Sequence, residues 1–314
     1  MKRIALTFVA LMLALMGCTP QPNLIILHAG SLSVPFDEAA EAFEELNPGV
    51  TIVTESAGSR TTIRKVTELG KRADVVAVAD YTVIEDLMFP DYADWCVYFA
   101  RNEMVIAYSE HSKFSDEIDG ENWYQILLRD DVQYGHSDPD QDPCGYRTLM
   151  LWQLAEEYYD VPGLYDDLDA GCPLENIRPK ETDLIALQQA GALDYVFQYR
   201  SVAEQHGLEY LELPEEINLS SPEFAEFYSH AQVVVSGREP GTSVTLTGAP
   251  IIYGVTIPKN APHPDLAIAF LKFLLGKEGQ AIMAENGQSP IVPAVASDPD
   301  RLPEELRDFV SQDK

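Results

Sequence analysis

Cysteine is scarce, with four in 314 residues. Cys18 closes an apolar amino-terminal run, which leaves Cys96, Cys144 and Cys172, an odd set with no CxxC or Cys/His spacing suited to zinc. A disulfide framework is therefore excluded as the main stabiliser, and the set allows either one bridge or inert buried thiols. Positive charge is scarce too: 21 Lys and Arg stand against 51 Asp and Glu, a formal net charge of −30. That balance excludes nucleic acid as a partner. It also requires any anion site to work through local dipoles, hydroxyls or bonding rather than the overall field. The six histidines are scattered without metal spacing, and GxSxG, HExxH and the phosphate-cradling GxxxxGK motif are all missing. The common nucleophile, zinc-hydrolase and nucleotide chemistries thus have no motif to rest on.

The amino end carries an export signal. Lys2 and Arg3 precede an apolar stretch from Ile4 to Met16, which is too short to span a bilayer comfortably. Leu15-Met16-Gly17-Cys18 fits a lipoprotein cleavage site, so residues 1–17 are expected to be a signal peptide and Cys18 the lipidated first residue of the mature chain. The globular part is then extracytoplasmic and anchored to a membrane. Some 290 residues follow, enough for two lobes of ordinary domain size.

Strands and helices alternate near the start of that part. Leu24–His28 is an apolar run that ends in Ala29-Gly30-Ser31, and Val34–Leu46 places Phe36, Ala39, Ala40 and Phe43 at helical spacing. Val50–Thr54 reads as a second strand that ends near Ala57-Gly58-Ser59, before a helix over Thr62–Leu69. A third strand spans Ala73–Ala79. This alternation implies a largely parallel sheet, in which ligands sit beyond the carboxyl ends of the strands, where Ser31 and Ser59 fall. Arg101–Ser109 reads as one long strand crossing to a second lobe, and Ala249–Pro258 as the returning strand. The lobes are expected at 18–104 with 251–314, and at 105–250. Between them lie helices at Trp123–Leu128, Thr148–Tyr159 and Thr182–Ala190, a strand at Tyr195–Tyr199, an irregular stretch up to Pro179 and a loop over Gly237–Gly248. An amphipathic helical region covers Asp265–Glu285.

Ser31 and Ser59 each sit where a strand turns into a helix. Unpaired N–H groups and a serine hydroxyl can hold an oxyanion there without Lys or Arg. Serine is also a common helix cap with no ligand, so the weight rests on two similar turns at one sheet edge. Asp138-Pro139-Asp140-Gln141-Asp142 imitates a calcium loop but lacks its glycine and its final glutamate, since Pro143 and Leu149 stand at those positions. Asp138 and Asp140 read as turn residues, and Asp142, held before a proline, as the one placed in a cleft. Glu181 and Asp183 flank a helix start, where acids are ordinary. Tyr199 ends a strand.

These segments together resemble the tungstate/molybdate-binding lipoproteins of ABC transporters, in their tungstate-type class. The likeness rests on His28-Ala29-Gly30-Ser31-Leu32, Ala57-Gly58-Ser59, Asp142-Pro143-Cys144-Gly145-Tyr146-Arg147 and Glu181-Thr182-Asp183-Leu184. It continues through Tyr199-Arg200-Ser201-Val202-Ala203 and Tyr253-Gly254-Val255-Thr256-Ile257-Pro258-Lys259. The resemblance implies a two-lobed α/β fold of the type II periplasmic-binding-protein kind, with a two-strand hinge and a ligand cleft between the lobes. It implies a monomeric binding protein rather than an enzyme, with no cofactor, that delivers its oxyanion to an ABC permease. By motif position Ser31, Ser59 and Tyr199 contact the oxyanion, and Asp142 and Glu181 bind its tungsten or molybdenum, with Asp183 the competing choice for the second carboxylate. Binding of another oxyanion such as sulfate, and a cleft hydrolase using the paired carboxylates, are the alternatives that the residues leave open.

Overall fold

The computed structural model describes residues 23–311. The expected signal peptide and Cys18 lie outside them. The chain begins with β1 (Asn23–Ala29), α1 (Ser33–Leu46), β2 (Thr51–Ala57), α2 (Ser59–Thr67), β3 (Val75–Val78), α3 (Tyr81–Met88) and β4 (Val97–Arg101). It then passes through β5 (Met104–Tyr108), α4 (Trp123–Leu127), β6 (Tyr134–Ser137), α5 (Pro143–Tyr158), α6 (Leu164–Gly171), β7 (Ile177–Arg178) and α7 (Asp183–Gln189). β8 (Tyr195–Tyr199), α8 (Arg200–Gln205), β9 (Glu209–Glu212), α9 (Ala225–Tyr228), β10 (Gln232–Ser236) and β11 (Ser243–Thr247) follow. The last elements are β12 (Ile252–Thr256), α10 (Pro264–Leu275), α11 (Lys277–Glu285) and β13 (Ser289–Ala296).

Two sheets carry the lobes. One is ordered β13-β4-β12-β3-β1-β2, the other β7-β6-β8-β5-β9. The parallel pairing expected from alternation holds for β1 with β2 and β3, and for β6 with β7 and β8. β4, β12 and β13 pair antiparallel, as do β5, β8 and β9. The chain leaves the first sheet after Arg101, enters the second at Met104, and comes back before Ile252.

Several expected elements change. The long strand over Arg101–Ser109 is two strands, broken where the Asn102 side chain accepts the Glu103 N–H at 3.0 Å. The helix expected from Thr148 begins at Pro143, since Asp142 caps it and proline fits a first turn that needs no N–H there. The stretch before Pro179 contains α6, and the Asp265–Glu285 region is two helices divided at Gly276. Residues 237–248 are not a loop throughout. Ser243–Thr247 pairs with Gln232–Ser236 as a hairpin, which Arg64 and Arg238 of opposite lobes tie down through Ser236 and Asp91.

The first lobe is built around aromatic side chains of α1 and α10. Phe36 and Phe43 meet Phe270 at ring distances of 6.2 and 5.5 Å, edge to face, and each buried ring contributes about 1.5–3 kcal/mol. All three described cysteines are buried and free, so the packing is made without a disulfide.

The lobes meet closely at Gly58. A β-carbon there would lie 2.4 Å from the Gln141 carbonyl oxygen of the opposite lobe. Gly58 has φ −56° and ψ 143°, which alanine adopts freely, so the demand for glycine is one of space. Gly58→Ala is expected to push the lobes apart and to cost about 1–3 kcal/mol as an overpacked contact. Small-angle scattering should show a larger radius of gyration, and an unchanged radius with unchanged melting would contradict this.

Candidate functional site

Register brings the two serine turns together. β1 and β2 are parallel, with Ala29 opposite Ala57, so Gly30-Ser31 and Gly58-Ser59 leave the sheet side by side. Both serines are fully buried. Ser59 opens α2, while Ser31 lies in a short 3-10 turn, Gly30–Leu32, just before α1. Each Oγ accepts one hydrogen bond from its own lobe: Ser59 from the Ala79 N–H at 3.0 Å, Ser31 from the Tyr253 hydroxyl at 2.9 Å.

The other lobe presents Asp142 and Glu181. Asp142 caps α5, accepting the Cys144 N–H at 3.1 Å on Oδ1, and its Oδ2 accepts the Glu181 N–H at 2.8 Å. That second bond links two segments 39 residues apart and sets the Glu181 carboxyl beside that of Asp142. The Glu181 carbonyl accepts from Gln198, which holds the segment from behind. Glu181 reaches across to the first lobe, where a β-carbon on Gly30 would lie 2.9 Å from its Oε1. Glu181 Oε2, the Thr182 hydroxyl and the Tyr199 hydroxyl are buried without a hydrogen-bond partner. Buried polar atoms in native proteins rarely stay unpaired without a functional reason.

Asp183 stands apart. Its side chain is 38% exposed and pairs with Lys180 at 3.8 Å, so it points away from the buried group. A second contact between the lobes involves the first turns of α5. Asp80, the cap of α3, accepts the Tyr146 hydroxyl at 2.6 Å and Arg147 Nη2 at 2.8 Å from α5. This occupies a buried arginine with a carboxylate. Sequence reading missed Thr182, Gln198, Asp80 and Tyr253 as parts of the site. Their types are ordinary for their elements, and only tertiary contact singles them out.

A family model described as a bacterial extracellular solute-binding protein matches residues 24–288. The chain belongs to that family. It is 55% identical over 288 residues to a solute-binding protein of Petrotoga mobilis, covering 92% of this chain and 90% of the relative. It is 46% identical over 315 residues to the molybdate/tungstate-binding protein WtpA of Pyrococcus abyssi, with 92% and 90% covered. The periplasmic molybdate-binding protein of Azotobacter vinelandii has the same fold at a TM-score of 0.63 and 18% identity, over 84% of this chain and 98% of that one. A solute-binding protein captures and hands over its ligand without turning it over, so the chain is not an enzyme. The family is extracytoplasmic, and among the described residues no helix is long and apolar enough to cross a membrane.

The electrostatics of the solute-binding protein are set by that pair. Burial raises the Glu181 carboxyl well above the usual range, and the adjacent Asp142 charge raises it further. Burial also raises Asp142, but backbone N–H groups of Glu181 and Cys144 stabilise its charge. Of the two carboxyls, Glu181 is therefore the one that more readily holds a proton. A carboxyl raised on folding contributes stability at low pH and loses it as pH climbs through its folded-state value. Glu181→Gln removes that loss. The variant purified without ligand is expected to be more stable than the wild type at pH 8, by about 1–3 kcal/mol for a buried unpaired group. The advantage should shrink toward pH 4–5, and calorimetric scans of ligand-free protein across this range check the sign. A variant less stable at pH 8 would contradict it.

Proposed function

We propose that this solute-binding protein captures one tungstate or molybdate ion per chain for uptake by an ABC permease. The observation that carries the reading is the buried pair Asp142 and Glu181 lying against the two serine turns of the opposite lobe. The 46% identity to a molybdate/tungstate-binding protein supports the same ligand class. Ser31, Ser59 and Tyr199 act as hydroxyl donors to the anion oxygens. Asp142 and Glu181 bind the metal centre, and Asp183, ion-paired at the surface, is set aside.

Carboxylates repel a dianion, so this donor set makes sense only for an anion with a bonding centre. Tungsten and molybdenum in their highest oxidation state are hard, electron-poor centres that take additional oxygen ligands, whereas sulfur in sulfate does not. Repulsion by two acids then rejects sulfate, and coordination admits the heavier oxyanions. Ligation needs deprotonated carboxylates, so binding expels the proton held by Glu181.

The remaining parts of the reading rest on sequence. Lipidation of Cys18 after cleavage of residues 1–17 anchors a monomer at the outer face of the membrane, as the Leu15-Met16-Gly17-Cys18 pattern supports. The lobes run over 18–104 with 251–314 and over 105–250, a division supported by the crossings near Arg101 and Ile252.

Isothermal titration with tungstate, molybdate and sulfate tests the ligand. The first two are expected to bind one per chain, and sulfate far more weakly. Asp142→Asn and Glu181→Gln are expected to weaken tungstate binding at least about tenfold, or ~1.4 kcal/mol, while sulfate binding stays level or improves. Ser31→Ala and Ser59→Ala should each cost roughly 1.5–3 kcal/mol, as charge-assisted hydrogen bonds do. Tighter tungstate binding by both carboxamide variants would refute coordination, and an effect of Asp183→Asn alone would move the second ligand.

A further inference from the structure

The hydrogen bond to Ser31 belongs to a longer buried chain. Tyr253 Oη donates to Ser31 Oγ at 2.9 Å and accepts from Asn102 Nδ2 at 2.8 Å. The other Nδ2 hydrogen goes to Ser201 Oγ at 2.7 Å. Asn102 is 6% exposed, and Ser31, Ser201 and Tyr253 are fully buried, so water does not compete for these groups.

The direction of the chain is set at its far end. Asn102 Oδ1 accepts the backbone N–H groups of Glu103 at 3.0 Å and Ser201 at 3.4 Å. A reversed amide would point its NH2 at two N–H donors, so only one orientation is compatible with the backbone. Nδ2 then donates to Tyr253, and the geometry of the Tyr253 hydroxyl directs its single proton to Ser31. Ser31 in turn cannot donate to Tyr253. Its own proton needs a third partner. Ser59 reaches the same condition by a shorter route, because the Ala79 N–H that meets it can only donate.

We infer that Asn102 and Tyr253 are positioning residues that make Ser31 an obligate hydrogen-bond donor to the bound anion. The relay starts at the hinge. Asn102 lies at the outward crossing, Tyr253 on the returning strand β12, and Ser201 in the first turn of α8 in the second lobe. Donor readiness at Ser31 therefore depends on both hinge strands and on Ser201 of the second lobe keeping these contacts. The inference takes its ligand from the oxyanion reading above, and its logic holds for any anion that meets Ser31.

A double-mutant cycle tests it, run with whichever of tungstate, molybdate and sulfate binds the unmodified protein most tightly. If that anion is sulfate, the tungsten and molybdenum reading fails while the cycle still reports on the relay. Tyr253→Phe is expected to weaken binding roughly 2- to 12-fold, the worth of one hydrogen bond. In a Ser31→Ala background the same change should alter affinity less than about twofold, and with Ser59→Ala it should keep its full effect. A merely structural tyrosine would weaken binding equally in every background, and that result would overturn the inference. Asn102→Asp gives a second arm for the case that Tyr253→Phe melts too low to study. An aspartate there can only accept, so Tyr253 turns its proton away from Ser31. The loss should be larger in the wild type than in Ser31→Ala, with the added charge cancelling between backgrounds. Equal losses would again overturn it.

Discussion

Two carboxyl groups buried side by side are the constraint on which the rest of this molecule depends. Asp142 and Glu181 lose hydration and repel each other, and each must be held in place by something stronger. Asp142 obtains this from two backbone N–H groups, one at its own helix and one from Glu181. Glu181 is fixed through its main chain instead, between Asp142 and Gln198, so its carboxyl is positioned without being satisfied. An arrangement that leaves an acid short of partners costs stability and is kept where binding needs it.

The same constraint explains the glycines and hydroxyls of the first lobe. Gly30 and Gly58 carry no side chain because Glu181 and Gln141 come within a β-carbon's space of them. Behind them, the serines receive hydrogen bonds from Ala79 and Tyr253, which leaves their own protons free for another acceptor. The first lobe thus brings two buried serine hydroxyls, and the second brings the carboxyl pair together with the Thr182 and Tyr199 hydroxyls.

Further contacts hold the lobes together away from the carboxyl pair. Asp80 takes Tyr146 and Arg147 across the interface, and Arg64 reaches Ser236 on the hairpin. A buried ion pair of this sort adds little net stability, since desolvation offsets its Coulomb energy, but breaking it leaves an uncompensated charge. It favours one closed geometry over many near ones. It also commits a buried guanidinium to a carboxylate, which agrees with a site that uses few cations in a chain of net charge −30.

Much of this was legible in the chain itself. Alternation of apolar runs with helical spacing marked β1, α1, β2 and β3, and β8 fell at Tyr195–Tyr199, where aromatic and branched residues broken only by Gln198 lie between Asp194 and Arg200. The repeated Ala-Gly-Ser turns and the acids at 142 and 181 were visible as residue types in suspicious places. The hairpin strand at Ser243–Thr247 was obscured by flanking glycines, and the start of α5 by a run of turn-forming Asp and Pro that doubles as a cap. By itself the sequence determined the α/β class, the family and the candidate polar residues, because periodicity and local motifs are properties of neighbours along the chain. Tertiary structure alone decided that Ala29 lies opposite Ala57, that Glu181 rather than Asp183 turns inward, and that Asn102 and Tyr253 stand behind Ser31. These are pairings over tens to hundreds of residues, set by sheet register and by how the two lobes close, and no local pattern encodes them.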